Sequence, residues 1–263
     1  MLNDIAHTLD QAAVNAASVD QISLTQPITL TQAYEIQKLS IQQRLNRGEK
    51  LVGYKMGFTS RAKMEQMGVD DLIWGRLTNT MLIEADQAID LSNYVHPRAE
   101  PEIAFKLKTS LSGKITKEQA LAAVDVIAPA IEVIDSRYRN FKFSLEDVIA
   151  DNCSSSGFVI GPWQSKDSNI DGLAIQLAVN EEVVARGSSN DILDHPLNAL
   201  VEAARCIAES GEELQAGHII LAGAATAAVA LAPNQTISAE VADLGSCSFK
   251  TGPLNNSALT DKA

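Results

Sequence analysis

Short strand-like runs separated by turn residues dominate the chain from about residue 80 onward. Runs of this length bounded by Gly, Asn and Asp are typical of strands. Two helices interrupt them: one opens with a capping-box spacing at Thr116 and ends before Pro129, and the other runs from Asp194 or His195 to Gly211. The predicted strands are Pro101–Leu107, Ala130–Asp135, Gly157–Gly161, Ala174–Val184, His218–Ala222, Thr236–Ala242 and Ser246–Lys250. This part of the chain is therefore expected to be rich in β-structure.

The first 80 residues differ from the rest because helical periodicity prevails there. Apolar residues at helical spacing predict helices over Leu2–Ala17 and Thr31–Arg47, the second with its N-cap at Thr31. A short strand over Val52–Phe58 follows, and then a helix that begins at Ser60 and ends at Gly68.

These patterns together predict an α+β fold in two parts. Residues 1–80 form a smaller, mainly helical N-terminal region that contributes the strand carrying Lys55. Residues 81–263 form a β-rich catalytic domain.

The charge balance excludes several classes of partner. The chain has 21 Lys and Arg against 33 Asp and Glu, a net charge of −12, and no cluster of basic residues to bind a phosphate backbone or anionic lipid. Its longest apolar run, Ile219–Ala232, is too short to span a bilayer. An odd number of widely spaced cysteines indicates buried thiols in a reducing compartment. We therefore expect a cytoplasmic protein that binds neither nucleic acid nor membranes.

Three glutamates form the most informative constellation. Glu100 and Glu102 lie two residues apart on a predicted strand, so both carboxylates project from the same face. Glu132 lies in an apolar strand with both faces buried, where an unpaired carboxylate would cost several kcal/mol. Either a divalent cation bound by all three carboxylates or a buried ion pair with Arg98 or Arg137 would compensate it, and spacing alone leaves both open. Oxygen ligands favour Mg²⁺ or Mn²⁺ over Zn²⁺.

Lys55 forms the second constellation. In an extended segment it shares a face with Gly53 and Gly57, so it has nothing to lie against and a ligand has room to approach its ammonium. Such a lysine stabilises a developing oxyanion or exchanges a proton. A surface lysine on an edge strand is the alternative.

Two polar loops could supply substrate contacts. One contains Asp135 and Arg137, and the other contains Ser154 and Ser155. Both are compatible with turn chemistry alone, although loops at strand ends also collect binding groups. A Ser-His-Asp triad and a glycine-rich nucleotide site are disfavoured, since neither pattern is present.

Several motifs in order resemble the fumarylacetoacetate hydrolase superfamily, over about residues 48–249. The resemblance implies a mixed β-roll with helical additions, a Mg²⁺ or Mn²⁺ ion bound by Glu100, Glu102 and Glu132, and Lys55 as the active-site cation. The motifs that carry it are Gly53-Tyr54-Lys55-Met56-Gly57-Phe58-Thr59-Ser60, Met67-Gly68-Val69-Asp70, Pro97-Arg98-Ala99-Glu100-Pro101-Glu102-Ile103-Ala104, Pro129-Ala130-Ile131-Glu132 and Ala150-Asp151-Asn152.

Within the family, the chain is similar to the branch of decarboxylases and hydratases. The resemblance implies decarboxylation of 2-oxohex-3-enedioate to 2-hydroxypenta-2,4-dienoate in the meta-cleavage catabolism of aromatic compounds. The alternatives are hydration of that dienoate to 4-hydroxy-2-oxopentanoate and a non-catalytic partner subunit of such an enzyme. The expected partners are a small dicarboxylate substrate, a 2-hydroxypentadienoate hydratase in a complex, and further copies of this chain. The expected substrate-binding residues are Arg98, Asp135, Arg137, Lys142, Ser154 and Ser155.

Overall fold

A computed structural model of the chain describes residues 1–60 and 72–253. Its helices are α1 (Leu2–Val14), α2 (Leu30–Asn46), α3 (Lys117–Ala123), α4 (Leu145–Ala150) and α5 (Pro196–Glu209). Its strands are β1 (Leu51–Gly57), β2 (Ile73–Thr78), β3 (Ala88–Ile89), β4 (Pro97–Leu107), β5 (Val124–Asp135), β6 (Ser155–Ile160), β7 (Gln164–Ser165), β8 (Ala174–Val179), β9 (Glu182–Ser188), β10 (Ile219–Leu221), β11 (Val229–Ala230), β12 (Thr236–Val241) and β13 (Gly245–Thr251). The helix predicted over 60–68 lies almost entirely outside the described residues.

The strands form two mixed sheets. The larger has the order β2-β1-β10-β4-β5-β6, with β11 paired to β4 and β7 paired to β5. Neighbouring strands in it are antiparallel except for the β1–β10 pair. The smaller sheet has the order β3-β13-β12-β8-β9. Helices beside two mixed sheets confirm the predicted α+β class.

The two sheets pack through one face of each. Ile131 and Val133 on β5 belong to the same buried cluster as Leu177, Ile237 and Phe249 of the smaller sheet. Because side chains alternate along a strand, the residue between Ile131 and Val133 projects from the opposite face. Glu132, the residue between them, therefore lies on the side of the larger sheet that faces away from the smaller one.

Helices α1, α2 and α4 cover another part of the larger sheet. Ile5 and Leu9 of α1, Ile36 of α2 and Ile149 of α4 share a buried cluster with Ile73 of β2. The strands β1 and β2 are hydrogen-bonded into the same sheet as β10 and β4, so residues 51–78 and the β-rich part of the chain form one sheet. The division at residue 80 stays an interpretation of the sequence.

Three helices differ from their predicted boundaries. Helix α1 begins at Leu2 as predicted but ends at Val14, not at Ala17. Helix α2 begins after Thr29, not Thr31, because Thr29 and Gln32 form the capping box: the Gln32 N–H donates to Thr29 Oγ1, and the Thr29 N–H donates to Gln32 Oε1. Helix α3 begins after Thr116 as predicted but ends at Ala123. The residues from Val124 onward pair with β4 instead, since their β-branched side chains suit a strand.

The predicted strand Ala174–Val184 is two strands. Asn180 and Glu181 have φ values of 50° and 69°, so the chain turns there and β9 pairs back onto β8. The start of α5 is confirmed, with Nδ1 of His195 accepting a hydrogen bond from the Leu197 N–H at 3.1 Å.

The three cysteines are free and buried, as predicted. None of the helices within residues 1–60 and 72–253 combines the length and the hydropathy that a membrane crossing requires.

Candidate active site

The β4–β5 pair brings the three glutamates together. Glu100 lies directly opposite Glu132 in the ladder, and Glu102 lies two residues further along the same face of β4. One carboxylate oxygen from each residue lies within 4.8 Å of the others. Antiparallel register and strand alternation are therefore sufficient to form an all-oxygen site of the kind that suits Mg²⁺ or Mn²⁺.

Burial makes this cluster electrostatically costly without a cation. The side chains of Glu102 and Glu132 are fully buried, and Glu100 is 7% exposed. Burial, together with the neighbouring charge of Glu132, raises the pKa of Glu102 well above its ordinary value, and burial also raises the pKa of Glu132. The Oε1 atoms of Glu102 and Glu132 have no hydrogen-bond partner among the described residues. A divalent cation fits this arrangement because it would supply ligand bonds for those two atoms.

Lys55 on β1 pairs with Glu132. Its Nζ lies 3.0 Å from Oε2 of Glu132 and donates a hydrogen bond to the Cys153 carbonyl at 3.3 Å. Burial disfavours the ammonium, but the carboxylates, Glu132 above all, outweigh burial and raise the pKa of Lys55 above its ordinary value. Among these four side chains, three carboxylates and one ammonium leave a formal charge of −2, which one divalent cation balances.

The structure answers two questions about these residues that the sequence left open. The cation beside Glu132 is Lys55, and neither Arg98 nor Arg137 pairs with Glu132. Of the glycines that flank Lys55, Gly53 leaves no room for a ligand, because a Cβ there would lie 1.8 Å from the Ile219 carbonyl oxygen. Gly57 lines a cavity beside Lys55, although a Cβ there would lie 2.8 Å from the Ile73 side chain. These glycines let neighbouring groups approach β1 closely.

Gly75, which the sequence did not single out, also lies beside Lys55. Gly75 pairs with Lys55 across β1 and β2, and a Cβ there would lie 2.6 Å from the Asn152 carbonyl oxygen. The missing side chain allows a turn formed by Asn152, Cys153 and Ser154 to lie against β2 beside Lys55. We call these three residues the left-handed turn.

The left-handed turn is held by an asparagine side chain. Its three residues have φ values of 51°, 51° and 60°, an uncommon conformation for non-glycine residues. Oδ1 of Asn152 accepts from the Arg76 N–H at 2.8 Å, and Nδ2 donates to the Arg76 carbonyl at 2.9 Å. Because both bonds are made to the backbone of β2, Asn152 fixes the position of the Cys153 carbonyl, which accepts the hydrogen bond from Lys55.

A backbone N–H group also orients one carboxylate of the glutamate triad. The Gly223 N–H donates to Oε2 of Glu102 at 2.7 Å. Gly223 has a φ of 103°, and a Cβ there would lie 2.1 Å from Oγ1 of Thr59. Only glycine fits this position, so the glycine-bearing segment before β11 orients a carboxylate and does not cradle a phosphate.

A cavity of about 280 Å³ opens beside Lys55 and Glu100. Among the described residues, Lys55 and Arg98 are the cations that line it, and the rest of the wall is mostly apolar. Ser154 also lines it, and its buried Oγ has no partner among the described residues. The apolar lining includes Met56, Phe58, Ile73, Ile134, Phe141, Phe143, Val148, Ala224, Ala227 and Ala228.

The other predicted substrate contacts are not among the described residues that line this cavity. Asp135 accepts hydrogen bonds from the N–H groups of Val95 and His96. The guanidinium of Arg137 binds Asp151, whose pKa burial raises to about 6 although Arg137 opposes the rise. Lys142 is exposed and Ser155 is buried, and neither is among the residues that line the cavity. Their predicted contacts with substrate stay untested.

A larger cavity, of about 670 Å³, lies on the opposite face of β2. In it the buried Arg76 binds the half-buried Glu212, and Tyr54 donates to Glu212 at 3.0 Å. Trp74 and Tyr34 stack on each other in its wall, and none of the three glutamates is among the described residues that line it. This cavity therefore holds a structural network and no part of the triad.

The chain matches the model of the fumarylacetoacetate hydrolase C-terminal family over residues 55–251. This match spans Lys55, all three glutamates, Gly75 and the left-handed turn. The chain belongs to the fumarylacetoacetate hydrolase family. Membership agrees with the resemblance seen in the sequence motifs and with the mixed sheets of the fold.

Within this family, the chain is similar to decarboxylases and to a hydratase. It is 54% identical over 250 residues to a 4-oxalocrotonate decarboxylase of a Pseudomonas species, covering 95% of this chain and 98% of the relative. The solved 4-oxalocrotonate decarboxylase of Pseudomonas putida, complexed with magnesium and adipate, superposes with a TM-score of 0.92 at 36% identity, covering 95% of this chain and 97% of that one. A 2-keto-4-pentenoate hydratase of Paraburkholderia xenovorans is 32% identical over 261 residues, covering 97% of each.

Proposed function

We propose that this chain is a metal-dependent decarboxylase that converts 2-oxohex-3-enedioate, or 4-oxalocrotonate, to 2-hydroxypenta-2,4-dienoate and CO₂. One observation carries the proposal: the glutamate triad, Lys55 and a second cation, Arg98, meet at one cavity in a chain that shares 54% identity with a decarboxylase of that name. The assembled triad also argues against a non-catalytic partner subunit.

Glu100, Glu102 and Glu132 would hold Mg²⁺ or Mn²⁺. When bound, such a cation acts as a Lewis acid on the 2-oxo group of the substrate. The solved relative from Pseudomonas putida contains magnesium, which supports the choice of metal. The chain contributes the buried carboxylates, and Gly223 fixes one of them in orientation.

Lys55 would stabilise the negative charge that develops on the substrate. As the C5–C6 bond breaks, its electron pair moves through the C3–C4 alkene toward the C2 oxygen. The raised pKa of Lys55 keeps its side chain an ammonium, so it acts as a fixed positive charge and a hydrogen-bond donor toward that oxygen. The Cys153 carbonyl and Glu132 orient the ammonium before substrate binds.

Arg98 would bind the carboxylate at C6. It lies two residues before Glu100 on the same face of β4, which separates the two Cα atoms by about 7 Å. A six-carbon acid with its 2-oxo end at the triad therefore directs its far end toward Arg98. Ile134, Phe141 and Phe143 form an apolar wall there, which favours neutral CO₂ over the carboxylate. The Ser154 hydroxyl is available to the carboxylate at C1.

Hydration of 2-hydroxypenta-2,4-dienoate is the second candidate, because hydratases occur among the relatives. That substrate has one carboxylate and gives Arg98 no partner, so the second cation in the cavity favours the decarboxylase.

The two candidates are separated by supplying each substrate alone with Mg²⁺. We expect CO₂ from 2-oxohex-3-enedioate and no consumption of 2-hydroxypenta-2,4-dienoate. Consumption of the dienoate without any CO₂ from the dicarboxylate would establish the hydratase instead, and no reaction with either would favour the partner subunit. Association with a hydratase and self-association stay predictions, for which sedimentation of the chain with and without a hydratase is the test.

A further inference from the structure

Arg98 is a half-buried residue whose guanidinium lies against an aromatic ring in the cavity wall. Its guanidinium carbon lies 4.2 Å from the centroid of the Phe141 ring. With the residues that the structure describes, its side chain makes no hydrogen bond or ion pair. A guanidinium stacked on an aromatic face keeps the N–H groups on its edge free, and those groups match the two oxygens of a carboxylate.

The backbone that presents Phe141 is strained. Asn140 and Phe141 have φ values of 59° and 57°, and the left-handed region is a genuine outlier for a residue as bulky as phenylalanine. The Phe141 N–H donates to the Tyr138 carbonyl at 3.1 Å, which closes a tight turn after β5. Phe143 packs 5.5 Å from the Phe141 ring and His96 lies edge-on to it at 6.3 Å. Strain of this kind persists where the surrounding structure over-determines it, and it concentrates at ligand-binding positions.

We propose that Phe141 is a positioning residue that sets the preference of this site for dicarboxylates. It acts through Arg98: the ring holds the guanidinium flat against the cavity wall, with its donors directed at the distal carboxylate. Phe143, which lines the same wall, contributes apolar surface only. This inference rests on the proposed function, because it assumes that a substrate's second carboxylate lies at Arg98.

The test compares two competitive inhibitors that differ only in the distal group, 2-oxoadipate and 2-oxohexanoate, in the presence of Mg²⁺. The preference is the ratio of their inhibition constants against 2-oxohex-3-enedioate. We expect wild type to prefer 2-oxoadipate and Phe141→Leu to lower that preference roughly three- to tenfold, the range of a partly desolvated cation–π contact. Phe141→Tyr keeps an aromatic face and should retain the preference. Phe143→Leu removes a ring from the same wall and should weaken both inhibitors equally.

A double-mutant comparison separates positioning from packing. Arg98→Ala should abolish the preference, and adding Phe141→Leu to it should cause no further change in the ratio. If Phe141→Leu does not fold by circular dichroism, Phe141→Met replaces it, since methionine also lacks an aromatic face.

Failure of the proposed function and failure of the role of Phe141 would give different results. A wild-type protein without any preference for 2-oxoadipate would overturn the assignment of the distal carboxylate to Arg98, and with it the proposed function. A wild-type preference that Phe141→Leu or Phe141→Met leaves unchanged, or that Phe143→Leu lowers as much, would overturn the role of Phe141 alone.

Discussion

Burial and the neighbouring carboxylates shift the pKa of Lys55 in opposite directions. The side chain is 4% exposed, which disfavours its ammonium, yet it lies 3.0 Å from Glu132, and the three carboxylates around it outweigh burial. In the proposed site, Lys55 and a metal ion would therefore share the Glu132 carboxylate. Removing Lys55 would leave the cluster more negative, so its loss should affect catalysis and metal binding differently.

We expect Lys55→Met to lower kcat by roughly 100-fold or more, because a fixed donor to a developing oxyanion is lost. Mg²⁺ should bind at least as tightly as in wild type, since one positive charge has gone from beside the carboxylates. Steady-state kinetics and isothermal titration with Mg²⁺ check both parts, with the exposed Lys50→Met as the matched control. Loss of Mg²⁺ binding together with activity would show that Lys55 acts by holding the triad.

The sequence predicted the triad better than the lysine. Glu100, Glu102 and Glu132 could be grouped because strand alternation is local and because an apolar strand makes a lone carboxylate costly. The pairing of Lys55 with Glu132 depends on the placement of β10 between β1 and β4, which no local pattern specifies. Gly57, one of the two glycines that flank Lys55, lines the cavity, whereas the close packing of the left-handed turn beside Lys55 depends on Gly75 of the next strand, which no local pattern indicated.

Among the elements, the left-handed turn supplies the carbonyl that orients Lys55 and two residues that line the cavity, Cys153 and Ser154. Its conformation is unfavourable for non-glycine residues, and two hydrogen bonds from Asn152 to β2 offset that cost. The sequence showed a polar loop there, but a run of three left-handed residues without glycine has no compositional signal. The turn is the largest part of the site that the sequence could not predict.

Two substitutions at Asn152 distinguish the contribution of its side-chain hydrogen bonds from the cost of its left-handed backbone conformation. Asn152→Ala should lower the free energy of unfolding by about 2–3 kcal/mol, because it removes two buried hydrogen bonds. Asn152→Gly loses the same bonds but tolerates the positive φ, so it should be less destabilising by up to about 1 kcal/mol. Urea denaturation measures both. Equal losses in the two variants would mean that the backbone conformation carries no cost.

The carboxylate of Asp147 on helix α4 joins this helix to the N-terminal segment through hydrogen bonds. Asp147 accepts hydrogen bonds from the Ser144 N–H at 3.0 Å and from the hydroxyl and N–H of Ser23 at 2.7 and 2.9 Å. Burial by itself would raise the pKa of Asp147, but these hydrogen bonds outweigh it and hold the pKa below its ordinary value. The ionised form is therefore the one that stabilises the fold.

This lowered pKa predicts the sign of a pH effect. The contribution of Asp147 is fully present above its unfolded pKa of about 3.9 and is lost as the pH falls through its lower folded value. We expect the difference in unfolding free energy between wild type and Asp147→Asn to be constant from pH 7 to 5 and to shrink below pH 4. Urea unfolding across that range provides the measurement. A difference that grew on acidification would contradict the shift.

At the scale of the whole molecule, the proposed metal site would couple catalysis to stability. The triad joins β4 to β5, Lys55 adds β1, and Gly223 adds the segment before β11, so one small cluster connects much of the larger sheet. The protein's net charge of −12 gives a dicarboxylate no general attraction, so binding depends on this cluster and Arg98.

We expect Mg²⁺ at about 100 times its dissociation constant to stabilise the fold by about 2.7 kcal/mol and raise Tm by roughly 5–10 °C. Glu102→Gln should raise the Tm of the metal-free protein, because it removes one of the mutually repelling charges, and should abolish the response to Mg²⁺. Thermal unfolding with and without Mg²⁺ checks this, with exposed Glu240→Gln as the control. A Glu102→Gln variant that still responds fully to Mg²⁺ would exclude Glu102 as a ligand.

The most direct measurement is CO₂ release from 2-oxohex-3-enedioate before and after removal of divalent cations. We predict one CO₂ for each substrate consumed with Mg²⁺, no release after chelation, and full recovery when Mg²⁺ is restored. Glu132→Gln should release none under any of these conditions. CO₂ release at an undiminished rate by the chelated protein, or by Glu132→Gln with Mg²⁺, would contradict a decarboxylase that works through the metal triad.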